Sequence, residues 1–199
     1  MESAVRSEAR ERLLVVAERL FSERGYSSVT LRDIATELGI RQASLYHHVP
    51  DGKEQLYVEV TERGLERARV ALERAIDEGG LSLREQLARA ARYLLTQPPF
   101  DLARMIRSDM PAISEVHART LTQAALNSLV RPIERAFVAA RTRGEHHMPS
   151  ERLLASSFLA IVETIHVSQR FTPLSGGEMA DMMIDVLLDG LYPRNAPRA

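Results

Sequence analysis

Between Arg41 and His48 the chain reads Arg-Gln-Ala-Ser-Leu-Tyr-His-His. Arg41, Gln42, Ser44, Tyr46, His47 and His48 are all hydrogen-bonding side chains, with no carboxylate among them. If Leu45 is the buried peg of a short helix, the helical period leaves these groups on its outer surface. A surface of that kind suits base edges and phosphates, on a helix of a length that fits a major groove.

Other constellations that could do chemistry are weaker. The chain has no cysteine, so disulfides, thiolate nucleophiles and Cys-based zinc sites are excluded. His47-His48 and His146-His147 are adjacent pairs; neighbours on a helix point about 100° apart and make a poor chelate. No metal and no cofactor are expected, and His117 and His166 read as satisfied core histidines. Asp101 and Asp109 fall on separate turns with no His or Ser pairing, so no catalytic set emerges and an enzyme is not expected. Tyr93, Phe100, Met105, Met110, Phe137, Phe158 and His166 are candidates to line a ligand pocket, although aromatic residues and Met at helical spacing serve cores as readily.

The elements that must position the polar stretch are all helical. Leu13, Val16, Ala17, Leu20 and Phe21 form one apolar stripe, and Gly25 sits just past it, where a helix end favours positive φ. Thr30 is placed as the N-cap of a second helix, with Asp33 in its first turn near the positive end of the dipole. Ile34, Ala35 and Leu38 form the buried side of that helix, Gly39 breaks it, and Ile40 is expected as a buried turn residue. A third helix is expected over about Arg41 to Val49, locked by Leu45 and Val49, with Ala35 as the small residue where the pair crosses. Pro50-Asp51-Gly52 is a turn, and a long charged helix runs from near Lys53 to about Asp77.

Beyond it, Gly and Pro clusters mark off helical blocks near 81–96, 100–109, 113–142, 150–171 and 177–192. Pro132 should kink or split the third of these. No segment alternates as a strand would, so the fold class is all-α. The last two blocks are apolar on most sides. Such helices bury two faces, and a second copy of the chain is the natural cover for one of them. Phe158, Val162, Ile165, Met179, Met183, Val186 and Leu187 are the expected dimer-interface residues.

From Thr30 onward the pattern Thr-x-x-x-Ile-Ala-x-x-x-Gly-Ile-x-x-x-x-Leu-Tyr-x-His-Val, followed by Lys53-Glu54-x-Leu56, resembles the tetracycline-repressor-like (TetR) family. Phe21 and Gly25 fit the family's first helix, and the likeness covers about residues 9 to 60. One departure is the extra residue in Pro50-Asp51-Gly52, which shifts Lys53 relative to the backbone. The resemblance implies a three-helix helix-turn-helix DNA-binding domain followed by a larger helical ligand-binding and dimerisation domain. By position it places Gln42, Ala43 and Ser44 on base edges, with Gln42 able to pair with adenine. Arg32 is placed on a guanine or a phosphate, and Thr30, Tyr46, His48 and Lys53 on phosphates. Arg41 and His47 complete the DNA-binding set. Each good base contact contributes about 1–3 kcal/mol of discrimination.

Bulk composition adds little. The net charge of −1 is far from the basic balance common in nucleic-acid binders, so the argument rests on where residues sit. No run reaches the roughly 18 apolar residues of a membrane span. The expectation is a cytoplasmic homodimer with a DNA-binding domain at residues 1–52 and a regulatory and dimerisation domain at residues 53–199. Its partner is double-stranded palindromic operator DNA, and a small apolar or aromatic inducer releases a repressor from it. A DNA-binding protein of this fold with no small ligand, and an enzyme or carrier using the helical scaffold, remain alternatives.

Overall fold

A computed structural model of the chain describes residues 2–78, 80, 82–98 and 104–190, with side chains from Glu8 onward. The described residues are helical throughout, with no strand among them. The chain divides into two compact units, Met1–Glu66 with Asp101–Ala124 and Arg67–Phe100 with Ala125–Ala199.

The first unit holds α1 (Glu2–Arg24), α2 (Leu31–Leu38), α3 (Gln42–Tyr46) and the beginning of α4 (Gly52–Asp77). Leu13, Ala17, Leu20 and Phe21 of α1 are buried with Ile34, Ala35, Leu45, Val49, Leu56 and Tyr57, which makes one core under the α2–α3 pair. Thr30 caps α2 as its residue type predicts. Its hydroxyl accepts from the Asp33 N–H, and the Asp33 carboxylate takes the Thr30 N–H in return, a reciprocal capping box. Gly39 ends α2 at φ +68°, and Ile40 N–H reaches back to the Ala35 carbonyl at 3.0 Å, the bonding of a Schellman turn.

Two local expectations are corrected here. Ile40 is 39% exposed rather than buried: it follows Gly39 in the turn and its N–H, not its side chain, is what bonds back to α2. The helix expected over 41–49 keeps α-helical form only from Gln42 to Tyr46. His48 and Val49 both donate to the Leu45 carbonyl, a tightened last turn, and Pro50 bars Val49 from continuing the helix.

Residues 104–124 complete the first unit. A π-helical turn at Met105–Asp109 leads into a short 3-10 turn at Met110–Ala112, and α6 (Glu115–Ala125) follows. In the second unit α5 (Leu83–Thr96), α7 (Arg131–Thr142), α8 (Glu151–Ser168) and α9 (Gly176–Asp189) pack around Leu87, Ile133, Phe137, Phe158, Val162 and Ile184. Ser82, Ser150 and Ser175 each cap a helix of this unit through the hydroxyl oxygen.

The helical block around Pro132 is divided, as expected, into α6 and α7 (Arg131–Thr142). A second π-helical turn, Leu126–Val130, joins α6 to α7, and the Arg131 N–H donates to the Leu126 carbonyl five residues back. The extra residue takes up the register lost where Pro132 has no N–H to give. Pro111 is met in the same way: the residue before it, Met110, donates to the Met105 carbonyl.

The inward faces of α8 and α9 also differ from expectation. Phe158, Val162, Ile165 and Met179, expected at a dimer interface, are buried within the chain's own core. Periodicity reveals two apolar stripes but not which one the chain itself covers. The faces left open carry Leu153 and Val167 on α8, and Met182, Met183 and Val186 on α9, with Leu187 half-buried.

Candidate nucleic-acid interface

The outer surface of α3 is polar, and its one buried side chain is Leu45. Gln42, Ala43, Ser44, Tyr46 and His47 are exposed, His48 is half-buried, and Arg41 stands exposed at the N-cap. Arg32 projects from the first turn of α2, also exposed. Gln42 Nε2 lies 3.5 Å from the Tyr46 hydroxyl one turn on, so the amide and the phenol share an edge of the helix.

Two residues given phosphate roles by resemblance are otherwise engaged. The Thr30 hydroxyl donates to Asp33 Oδ2 at 2.7 Å, so both of its functions go to starting α2. That bond is also the main reason the Asp33 carboxyl titrates below its ordinary range. The Lys53 ammonium turns inward. It donates to the Tyr26 and Val29 carbonyls, both at 2.9 Å, and sits 4.0 Å from the centre of the Tyr26 ring. Partial burial pushes its pKa down. Lys53 thus ties down the loop between α1 and α2, a position consistent with the longer turn that precedes it.

Several positioning residues were not legible in the sequence. Arg10 of α1 donates to the His48 carbonyl at 2.5 Å and to both oxygens of Glu59 at 2.7 and 2.9 Å. It pins the exit of α3 between α1 and α4. Glu54, whose place in the Lys-Glu-x-Leu pattern was visible but whose work was not, accepts the Ser114 N–H at 2.9 Å and His117 Nδ1 at 2.6 Å. The Ser114 hydroxyl first, then His117 and the Ser114 N–H, hold its pKa at about 2. His117 is therefore a surface partner to a carboxylate rather than a core histidine. Asp109 is 3% exposed and accepts the Tyr26 N–H at 2.9 Å. The Tyr57 hydroxyl lies 3.4 Å from its other oxygen, and the Arg104 guanidinium 3.8 Å. Burial, and then the Asp109 charge, push the Tyr57 phenol well up.

Of the remaining histidines, His146 is buried and donates from Nε2 to the Phe137 carbonyl at 2.8 Å, while His47 and His147 are exposed. Among the described residues no three His, Cys, Asp or Glu side chains gather as a metal site would need. Of the candidate pocket residues, Met105 and Met110 are buried in the first unit, whereas Tyr93, Phe137, Phe158 and His166 belong to the second. Phe137 and Phe158 are core residues, Phe137 packing edge-on against the His146 ring, and Tyr93 and His166 are half-buried. Phe100 lies outside the described residues.

Residues 13–60 match the model of the bacterial regulatory proteins of the tetR family, the stretch that contains α2, α3 and their turn. The helix-turn-helix segment of the chain is similar to that of the tetR family. Over 52 residues it is 46% identical to the HTH-type transcriptional regulator LmrA of Bacillus subtilis, covering 26% of this chain and 28% of that protein. Over 127 residues it is 30% identical to the HTH-type transcriptional repressor AcnR of Corynebacterium diphtheriae, 61% of this chain and 64% of that one. The chain thus aligns with less than two thirds of either relative. Its fold extends further. The crystal structure of AibR in complex with isovaleryl coenzyme A and operator DNA superposes with a TM-score of 0.71 at 22% identity, over 90% of this chain and 98% of AibR. Among the described residues no helix is long and apolar enough to cross a membrane.

Proposed function

We propose that the protein is a sequence-specific DNA-binding transcriptional regulator, a repressor that a small-molecule inducer releases from a palindromic operator. The observation that carries this is the outer surface of α3. Gln42, Ser44, Tyr46 and His47 are exposed on a stretch that carries no carboxylate, on a helix fixed by the Gly39 turn and by Arg10. Gln42, Ala43 and Ser44 read bases in this proposal, and Arg32, Arg41, Tyr46 and His48 hold the backbone. The relatives are transcriptional regulators, which supports a binding protein over an enzyme.

The functional division proposed is a DNA-binding domain through residue 52 and a regulatory domain after it. The protein acts as a cytoplasmic homodimer, which presents two α3 helices to successive major grooves about 34–36 Å apart. The open faces of α8 and α9, with Leu153, Val167, Met182, Met183 and Val186, are the proposed interface. AibR was crystallised with an acyl coenzyme A and operator DNA, which supports an inducer with an apolar portion. Such a ligand releases DNA only if it binds the non-DNA-binding state more tightly.

Fluorescence anisotropy with duplex from upstream of the protein's own gene tests the reading. Preference over random duplex by about a thousandfold or more, lost in Gln42→Ala, is the expected result. Equal, weak binding to every duplex by the parent and the variant would remove sequence recognition from the account.

A further inference from the structure

Three arginines of the first unit are neutralised within the chain. Arg10 pairs with Glu59, Arg19 with Glu23 and Glu37, and Arg63 with Glu11. Arg12 differs: it is exposed, and no acceptor among the described residues engages it. Two positions from Arg10, it points about 200° away around α1. Glu11, its neighbour in sequence, already has its charge met by Arg63 at 2.6 Å.

Arg12 opens onto a cleft of about 140 Å³ that α1 shares with the α2–α3 turn and α3 itself. Leu38 and Ile40 give it an apolar side, and Ser44 and His48 join Arg12 on its polar side. The exposed Ile40 is part of this apolar side. The cleft is continuous with the α3 surface, since Ser44 and His48 belong to both. An occupant must offer a compact apolar body and an adjoining anion, without side chains that need a deep pocket.

Building on the DNA-binding reading, we propose that this cleft seats one deoxyribose-phosphate of the operator backbone, with Arg12 as the phosphate ligand. The sugar covers Leu38 and Ile40, and the guanidinium fork takes two phosphate oxygens. Because this contact touches no base, it contributes affinity and register without sequence preference. It also answers the near-neutral charge of the chain: what matters is which cations are left unpaired beside α3, not their total.

The test is a salt series of anisotropy titrations on own-promoter duplex and on random duplex. The parent is compared with Arg12→Gln, Arg12→Lys, and Arg19→Gln as an arginine that is already paired. In a dimer, Arg12→Gln should lower the slope of log affinity against log salt by about 2, one contact per protomer. The loss should be the same on both duplexes, Arg12→Lys should restore most of the slope, and Arg19→Gln should leave it unchanged. Ile40→Glu, which sets a carboxylate over the cleft, should weaken both duplexes too. An unchanged slope in Arg12→Gln, with parent binding intact, overturns this assignment alone. Failure of the parent to bind any duplex overturns the DNA-binding reading and this one with it.

Discussion

The carboxylate of Asp109 accepts the backbone N–H of Tyr26 at 2.9 Å, across 83 residues of sequence. Tyr26 follows Gly25 at the end of α1, so a residue far from the helix-turn-helix holds the loop that launches α2. The Tyr57 hydroxyl and the Arg104 guanidinium surround the other oxygen, and Arg104 also donates to the Ser22 carbonyl at 2.8 Å. Asp109→Ala would leave the part-buried Tyr26 N–H without its acceptor and remove the carboxylate beside the Arg104 guanidinium. A loss of about 2–4 kcal/mol is expected in urea unfolding. Asp109→Asn keeps an oxygen for Tyr26 and should lose roughly half as much. Equal stability of the alanine variant and the parent would show that the cluster contributes nothing to the fold.

Gly25 and Gly39 both adopt positive φ, +79° and +68°, but their surroundings differ. A Cβ on Gly25 would lie 3.0 Å from Asp109 Oδ1, whereas a Cβ on Gly39 would meet nothing within 4 Å. Gly39→Ala should therefore cost only the left-handed backbone penalty, about 1–2 kcal/mol. Gly25→Ala should cost more, and the excess should shrink when Asp109 is also replaced by Ala. Thermal melts of the four variants form a double-mutant cycle for that coupling. A cycle that closes with no coupling would dissociate the glycine from the carboxylate.

These two glycines also mark what the sequence makes legible. Gly39 follows an amphipathic run opened by Thr30 and Asp33, so capping and turn chemistry locate α2 from neighbouring residues alone. Gly25 can be placed at a helix end by the same logic, but its second constraint comes from Asp109, which no local pattern connects to it. The polar residues of α3 were visible because Leu45 fixes their phase. The role of Lys53 was not, because its partners are backbone carbonyls at Tyr26 and Val29, invisible to any pattern of side-chain types. Pro132 marked the interruption of its block, but the π-helical form of that interruption depends on backbone bonding and not on any particular residue.

Glu54 links stability to pH with a definite sign. Its carboxyl is held at about 2, below the ordinary 4.5, first by the Ser114 hydroxyl, then by His117 and the Ser114 N–H. A folded-state pKa below the unfolded one means the stabilisation is complete above about 4.5 and disappears as pH falls toward 2. The side chain is 31% exposed, so solvent screening reduces the effect to on the order of 1 kcal/mol. Urea unfolding of the parent and Glu54→Gln at pH 5 and 3, both below the range in which the neighbouring imidazole ordinarily gains its charge, should show a narrower stability gap at the lower pH. A gap that widens on acidification would contradict the assignment.

The open faces of α8 and α9 make the last prediction. Val186 is 65% exposed and Met182 57% exposed on α9, and Leu153 and Val167 are each about as open on α8. Ala160 and Thr164 lie between Leu153 and Val167 on the same side of α8 and are exposed too, so a partner helix could approach closely there. Val186→Glu should leave the fold intact, since the side chain touches solvent in the single chain, yet place a charge in the proposed dimer contact. Light scattering coupled to size exclusion should then show a dimer for the parent and a shift toward monomer for the variant, with helical content and melting of the first unit unchanged. Phe158→Ala provides the contrast. That side chain is 1% exposed inside the protomer, so its loss should cost about 3–5 kcal/mol of stability. A Val186→Glu protein that remains fully dimeric would move the interface off this face.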